Sequence, residues 1–543
     1  MKKGDFMEYR VLSSLEKVFS DEAPKGKSFG GFSMLKNERS SFQVAFCGNG
    51  KKLRVKLDGK LADYSKAYCV REVPVGTAAY DDSDDFFLRK TSGMYPDCLD
   101  AIDGEVETAD GKWQCIWIEV APDSDVTGES VLSFSASDGD ETVIEAEIKI
   151  DVIDALLPEQ KLVYTNWYHS DCLCNYYGCE AMSDEYWRIN RNFIKTAVEH
   201  GLNCILTPLF TPPLDTKIGG ERRTVQLVGV KKSGRGYIFD FRNLKKWVDM
   251  CLDCGVKYFE MSHLFTQWGA KHAPKIVAVD RKGREKKIFG WETRTSSKKY
   301  DEFLRLFGKK LIEFIDENNL RDKCYFHVSD EPAMHQLKTY KKRAATISEI
   351  FEGFKVIDAL SDFAFYEKGA VKLPIPSEDH IEAFKGNVPE LWTYYCCGQH
   401  TENVPNRFMA MPSQRNRIIG MLLYKYDVKG FLQWGYNFYN WQYSLKPIDP
   451  YVITDAGGSF PSGDSFVVYP AENGEAIASL RLKVFYDAIQ DIRALELLES
   501  KIGREKVLEM LKKDSSFTFK DYPKEAEWIL ETREKINKLI KEN

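Results

Sequence analysis

Several things missing from this sequence narrow its possible functions. No stretch approaches the roughly 20 consecutive apolar residues that a membrane-spanning helix requires. The opening MKKGDFMEYR carries two lysines but not the apolar core of a secretory leader, so a soluble, cytoplasmic protein is the expectation. Long basic runs are also missing: the net charge is −6, and RKGREKK (281–287) reads as a solvated loop tip. Nothing in that balance draws the chain to nucleic acid or to an anionic membrane. The thirteen cysteines are an odd number, scattered through strand-like and helical runs. Cys172, Cys174 and Cys179 form one group and Cys251 and Cys254 a pair, but no second pair with zinc-ligand spacing follows either. Reduced thiols and no metal are expected. HExxH occurs nowhere, and no internal repeat or low-complexity segment is found.

The 543 residues are too many for one ordinary core. With 43% hydrophobic and 29% charged residues, the composition is that of a folded globular protein. From about Tyr9 to Ile153, short runs such as SFQVAFCG (41–48), WQCIWIEV (113–120) and TVIEAEIKIDVID (142–154) alternate polar and apolar residues between Gly/Asp turns. That pattern predicts an antiparallel β-sandwich over 1–157, with LLPEQ (156–160) as a linker. After Lys161 the rhythm changes. KLVYTNWYHSD, LNCILTPLF, KYFEMSHL, CYFHVSDEP, KVIDAL, ELWTYYCC, VKGFLQWGYN and SFVVYP alternate with helical stretches, and a hairpin is expected over 224–241. Strand–helix alternation implies right-handed crossovers and a parallel sheet, and eight such strands fit a (β/α)8 TIM-like barrel over 158–500. PIPSED (374–379) is a rival for one of the eight. Residues 501–543 read as charged amphipathic helices packed on the barrel.

In such a barrel, functional side chains gather where the strands end. The first strand ends in Trp167, Tyr168, His169 and Asp171. The third ends in His263, followed by Gln267 and Trp268. The fourth ends in His327, Asp330 and Glu331, and two later strands supply Trp392, Tyr394 and Tyr395, then Trp434, Tyr436 and Asn437. Aromatics make up 13% of the chain, with 11 Trp and 27 Tyr, and flat aromatic faces suit the CH-rich faces of sugars. An Asp-Glu-Pro after a strand ordinarily marks a helix N-terminus. Its coincidence with aromatics at other strand ends favours a catalytic pair instead.

HVSDEP (327–332), LWTYYCC (391–397), GFLQWGYNFYNW (430–441), GDSFVVYP (463–470) and the helix FYDAIQDIRALELLE (485–499) resemble the signature segments of glycoside hydrolase family 123, in the same order. The resemblance implies a retaining exo-β-N-acetylgalactosaminidase that uses the substrate's own 2-acetamido group as nucleophile. Asp330 would then orient the acetamide and Glu331 would act as acid and base. Trp167, His169, His263, Gln267, Trp268, His327, Trp392, Tyr394, Tyr395, Trp434 and Asn437 would bind the sugar. No cofactor is implied; the partner would be a glycan or glycoconjugate, glycosphingolipids included, ending in β-GalNAc. The spacing of the acids is compatible with this. A conventional retaining pair is about 5–5.5 Å apart and flanks the scissile bond, which consecutive residues on one strand end do with difficulty. Three other readings stay open at this level: an N-acetylglucosaminidase or other glycosidase on the same barrel, a metal-dependent hydrolase built on His169, His263, His327 and Asp330, and a non-catalytic sugar-binding protein.

Overall fold

The computed structural model describes residues 7–234, 236–280, 282–512 and 517–543. The expectations for MKKGDF at the start and for Arg281 in RKGREKK fall outside them. Two five-stranded sheets face each other over the first 156 residues. One has the order Tyr9–Ser13, Ser40–Cys47, Trp113–Val120, Ser65–Val75, Gly93–Ala101; the other runs Gly31–Lys36, Glu141–Leu156, Gly128–Asp138, Lys52–Asp58, Glu105–Glu107. Alternation sets the core. In the long strand from Glu141, Ile144, Ala146, Ile148, Ile150 and Val152 point inward, among Phe42, Val44, Ile116 and Phe134. One pairing departs from the antiparallel expectation: Gly31–Lys36 runs parallel to Glu141–Leu156.

Eight parallel strands follow: β1 (Val163–Asn166), β2 (Cys204–Thr207), β3 (Tyr258–Met261), β4 (Cys324–Phe326), β5 (Lys355–Ala359), β6 (Leu373–Ile375), β7 (Trp392–Tyr394) and β8 (Gly430–Gln433). Their order is 6-5-4-3-2-1-8-7, and a single bridge between Ser377 and Tyr394 closes the ring, with Tyr394 N donating to Pro376 O at 3.1 Å. PIPSED therefore supplies β6, and SFVVYP lies outside the barrel, where Val468–Pro470 pairs antiparallel with Ala476–Ala478. The reason is Pro374, which lacks an N–H and demotes a strand on sequence grounds. The barrel tolerates it at the seam where β6 and β7 barely pair.

Helices cover the outside of the barrel. Ser183 caps Asp184–Glu199 by accepting from Tyr186 N at 3.2 Å, and Ser479 caps Leu480–Ile502 by accepting from Leu482 N, also at 3.2 Å. The expected hairpin is Gly229–Ser233 with Gly236–Asp240. It joins Ile276–Val279 and Glu285–Phe289 in a separate four-stranded sheet. Inside the barrel, Val163, Trp167, Cys204, Leu206, Tyr325, Ile357, Ile375, Trp392, Tyr394 and Leu432 form one apolar cluster. Gly430 makes room for it, because a Cβ there would lie 2.1 Å from the Trp392 ring.

The sandwich is bolted to the barrel through buried ions. Arg481 forms two bonds to Asp97, at 2.7 and 2.8 Å, and donates to Gly463 O and Phe466 O. Arg415 grips Asp84, and Lys483 pairs with Glu119. The last helix, Ala526–Glu542, lies against both the sandwich and Leu480–Ile502: Arg533 bonds Glu38 and Asp491, and Asn537 bonds Ser33.

Candidate active site

A cleft of about 230 Å³ opens at the C-terminal ends of the strands. Asp330 and Glu331 lie on its wall just beyond β4, with Trp167, Gln267, Trp268, Tyr394 and Trp434 around them. The two acids do not cap the following helix. The short turn Met334–Gln336 comes first, and Gln336 Oε1 caps it by accepting from Ala333 N at 2.9 Å. Glu331 instead adopts φ 39°, in the left-handed region, a conformation that costs a non-glycine residue on the order of 1 kcal/mol or more. It is pinned by Glu331 N donating to Ala359 O and Trp268 N donating to Asp330 O, both at 3.0 Å. Trp268 (φ 57°), Asp215 (φ 38°) and Tyr443 (φ 60°) line the same cleft in the same unusual conformation.

The two carboxylates differ in environment. Glu331 is exposed, and its Oε1 accepts from the Tyr394 hydroxyl at 2.6 Å. Asp330 is half-buried. Burial pushes its carboxyl well above the ordinary range, the charge of Glu331 adds to that, and His327 pulls it partly back. His327 lies buried below, between Glu260 Oε1 at 2.5 Å and Asp358 Oδ1 at 3.3 Å. Burial alone would lower its pKa, but the two carboxylates win and raise it to about 9. Glu260 also accepts from Trp167 Nε1 at 2.7 Å and Thr165 Oγ1 at 2.5 Å, while Asp358 accepts from Val328 N, Ser329 N and the Tyr340 hydroxyl. His263 stacks on His327, with ring centroids 4.1 Å apart. His263, His327 and Asp358 lie close enough together to share an ion. In this arrangement both ring nitrogens of His327 are already engaged, Nε2 with Glu260 and Nδ1 with Asp358.

Five of the eleven expected binding residues thus line the cleft: Trp167, Gln267, Trp268, Tyr394 and Trp434. His263 and His327 do not line it but are buried behind Trp167, with ring centroids 5.4 and 6.2 Å from the indole. The other four lie elsewhere. Trp392 fills the barrel interior, one layer below Tyr394 on the same face of β7. Tyr395, of opposite parity, points outward against Phe431 at 5.0 Å. His169 and Asn437 are buried supports. Asn437 Oδ1 accepts from His169 N at 2.8 Å, and the His169 ring lies between Trp434 O and Arg222, which also grips Asp171. Burial first, and then Arg222, lower the His169 pKa to about 3, and His169 is not in the group formed by His263, His327 and Asp358.

Sequence reasoning missed Asp215, Cys396, Cys397, Gln442, Tyr443 and Phe460, all in loops lining the cleft. It also missed Asp464, whose Oδ2 accepts from Trp434 Nε1 at 2.9 Å and whose buried carboxyl is raised to about 7, mainly by desolvation. A signal for it was present in the GDSFVVYP segment.

An acid pair set among aromatic rings at the mouth of a parallel barrel fits a glycoside hydrolase, and the comparisons show one. Residues 167–498 match the family model "Glycoside hydrolase 123, catalytic domain". The chain belongs to glycoside hydrolase family 123. Its fold is similar, with TM-score 0.72, to that of a family 123 glycoside hydrolase from Clostridium perfringens described for glycolipid glycan hydrolysis; the two share 15% identity over 99% of this chain and 97% of that one. Slighter likenesses, too weak to bear on the fold, are to an endo-β-1,4-mannanase from Thermotoga petrophila (TM-score 0.35, 12% identity, 62% and 77% covered) and a Bacteroides ovatus xyloglucanase (TM-score 0.28, 8%, 85% and 98%). No curated protein matches the sequence.

Proposed function

We propose that this protein removes terminal β-linked N-acetylgalactosamine from glycans or glycolipids, with retention, using the substrate's acetamido group as nucleophile. The observation that carries the reading is the placement of Asp330 and Glu331 on one wall. Consecutive carboxylates there do not flank an anomeric carbon, so the attacking oxygen comes from the sugar itself. The acetamide oxygen bonds to the anomeric carbon as Glu331 protonates the departing glycosidic oxygen. Asp330 accepts the acetamide N–H and offsets the positive charge of the oxazolinium ring. Water then attacks the anomeric carbon, gives a proton to Glu331, and reopens the ring. In the empty cleft, burial favours a proton on Asp330. An acetamide N–H pointed at Asp330 favours its carboxylate form and frees that proton for Glu331, which couples substrate binding to readiness of the acid. Trp167, Trp268, Tyr394 and Trp434 pack the sugar and shield the intermediate from early hydrolysis.

Asp215, a third carboxylate in the cleft, supports a second reading, in which it is a conventional nucleophile. A series of aryl β-N-acylgalactosaminides bearing one, two and three fluorines on the acyl methyl separates the two. Assisted catalysis predicts that kcat/KM falls steeply with each fluorine, because the acyl oxygen loses nucleophilicity. A flat series would overturn it. Asp330→Asn should lose activity on all N-acetylated substrates, whereas Glu331→Gln should spare aryl glycosides with good leaving groups more than poor ones.

A further inference from the structure

Asp215 has no part in the assisted mechanism, yet it is held with unusual care. It follows β2 in a loop that meets the loop after β8. Its N–H donates to Gln267 Oε1 at 2.6 Å, its carbonyl accepts from Ser444 Oγ at 2.7 Å, and its Oδ2 accepts from Tyr443 N at 3.0 Å. Both Asp215 and Tyr443 are in the left-handed region, so backbone strain is accepted to set this one side chain. Its second oxygen, Oδ1, accepts from no group among the described residues, and no cation pairs with it there. The nearest guanidinium, that of Arg222, is committed to Asp171 and His169. Burial accordingly holds the carboxyl up, at about 6. A rigid, partly desolvated acceptor left open toward a sugar cleft lacks only a donor, and with the acetamide N–H assigned to Asp330 the neutral donors left on the sugar are its hydroxyls.

Resting on the reading above, we infer that Asp215 is a specificity-determining residue whose free carboxylate oxygen accepts a hydrogen bond from one ring or exocyclic hydroxyl of the terminal sugar. The neighbouring Gln267, whose Nε2 is buried without a partner, is mounted on the same loop contact and presents a donor beside it. The pair would recognise a hydroxyl's direction rather than its mere presence. Such sites discriminate strongly, because the wrong sugar leaves a desolvated acceptor unpaired.

The test compares wild type and Asp215→Asn on the aryl N-acetylgalactosaminide, its C4 epimer, and its 3-, 4- and 6-deoxy forms. Asparagine can keep its oxygen on Tyr443 N, which turns its NH2 toward the sugar and replaces an acceptor with a donor. The variant should lose about 10- to 150-fold in kcat/KM on the parent, as expected for a hydrogen bond to a charged group. One deoxy substrate should show a matching loss with wild type and little further loss with the variant, since both changes delete the same bond. A full penalty from Asp215→Asn on every deoxy substrate would refute the inference, and rescue of the variant by azide would assign Asp215 as nucleophile instead. Calorimetric titration of N-acetylgalactosamine and its C4 epimer into both proteins reads the same contact without turnover. A wild type that binds and discriminates the sugars but does not cleave them would sink the proposed function alone. Equal discrimination by wild type and variant would sink the role of Asp215 alone.

Discussion

Replacing Glu260 with glutamine tests the buried charges behind the cleft. The side chain keeps its shape, and its amide oxygen can still accept from Trp167 Nε1 and His327 Nε2, while the new NH2 faces Thr165 Oγ1, a hydroxyl able to accept. What disappears is the charge. His327 is raised from 6.5 to about 9 in spite of burial, and Glu260 is the largest cause of that rise. A histidine with a raised folded-state pKa contributes stability that is complete below 6.5 and lost as pH climbs through 9. At 1.36 kcal/mol per pH unit, that window is worth roughly 3 kcal/mol. The difference in unfolding free energy between wild type and Glu260→Gln should therefore shrink by about 3 kcal/mol between pH 6 and pH 10, measured by urea titration with fluorescence detection. Lys17, pulled down to about 7 by burial, imposes an opposite trend on both proteins and cancels in the comparison. Function should move as well. Without the imidazolium, Asp330 is held more firmly in its acid form, so the acidic limb of kcat/KM should shift to higher pH. A stability difference that stays constant across that pH range, together with an unmoved acidic limb, would refute the account.

Three further outcomes follow from particular contacts. Gly430→Ala drives a methyl into the Trp392 ring, 2.1 Å away, and should cost about 1–3 kcal/mol or more of stability in thermal or urea unfolding; activity should fall with it, because β7 also carries Tyr394. Tyr394→Phe removes the hydroxyl that donates to Glu331 at 2.6 Å, and kcat/KM on poor leaving groups should drop about 10-fold or more with KM changed less. Cys396 and Cys397 are half-buried and line the cleft, whereas eight of the other cysteines are buried. Maleimide should inactivate the enzyme, a saturating thiazoline inhibitor should protect it, and intact-mass analysis should place the protected adducts on these two residues.

The barrel was legible because its interior obeys simple parity. Alternation along β1, β7 and β8 places Trp167, Tyr394 and Trp434 on the inner face, and the acid pair follows shortly after β4. The same parity, applied within ELWTYYCC, would have sent Tyr395 outward. It would not have separated Trp392 from Tyr394, because depth along the barrel axis depends on stagger between strands and not on the pattern within one. The strand pattern counts eight correctly but admits SFVVYP in place of β6, because Pro374 lies at the weakly paired seam, where the usual objection to proline loses force.

Less legible were residues that reach the cleft by way of tight, left-handed turns. Asp215, Trp268, Glu331 and Tyr443 are all non-glycine residues with φ between 38° and 60°; aspartate visits that conformation more readily than most, but no composition rule marks tryptophan, glutamate or tyrosine for it. Their strain is sustained by bonds between loops: Trp268 N to Asp330 O, Asp215 N to Gln267, Tyr443 N to Asp215. Each loop holds its neighbour's unusual backbone, so the loops after β8, β2, β3 and β4 form one linked series. The sandwich extends that series. Ser462 N bonds Thr77 O at 2.7 Å, and Arg481, fixed by Asp97, holds the carbonyls of Gly463 and Phe466 on either side of Asp464. Asp464 in turn orients Trp434 in the cleft wall. The N-terminal sheets therefore act on the cleft by fixing the backbone behind an aromatic wall, a role that rests on contacts more than 300 residues apart in the chain.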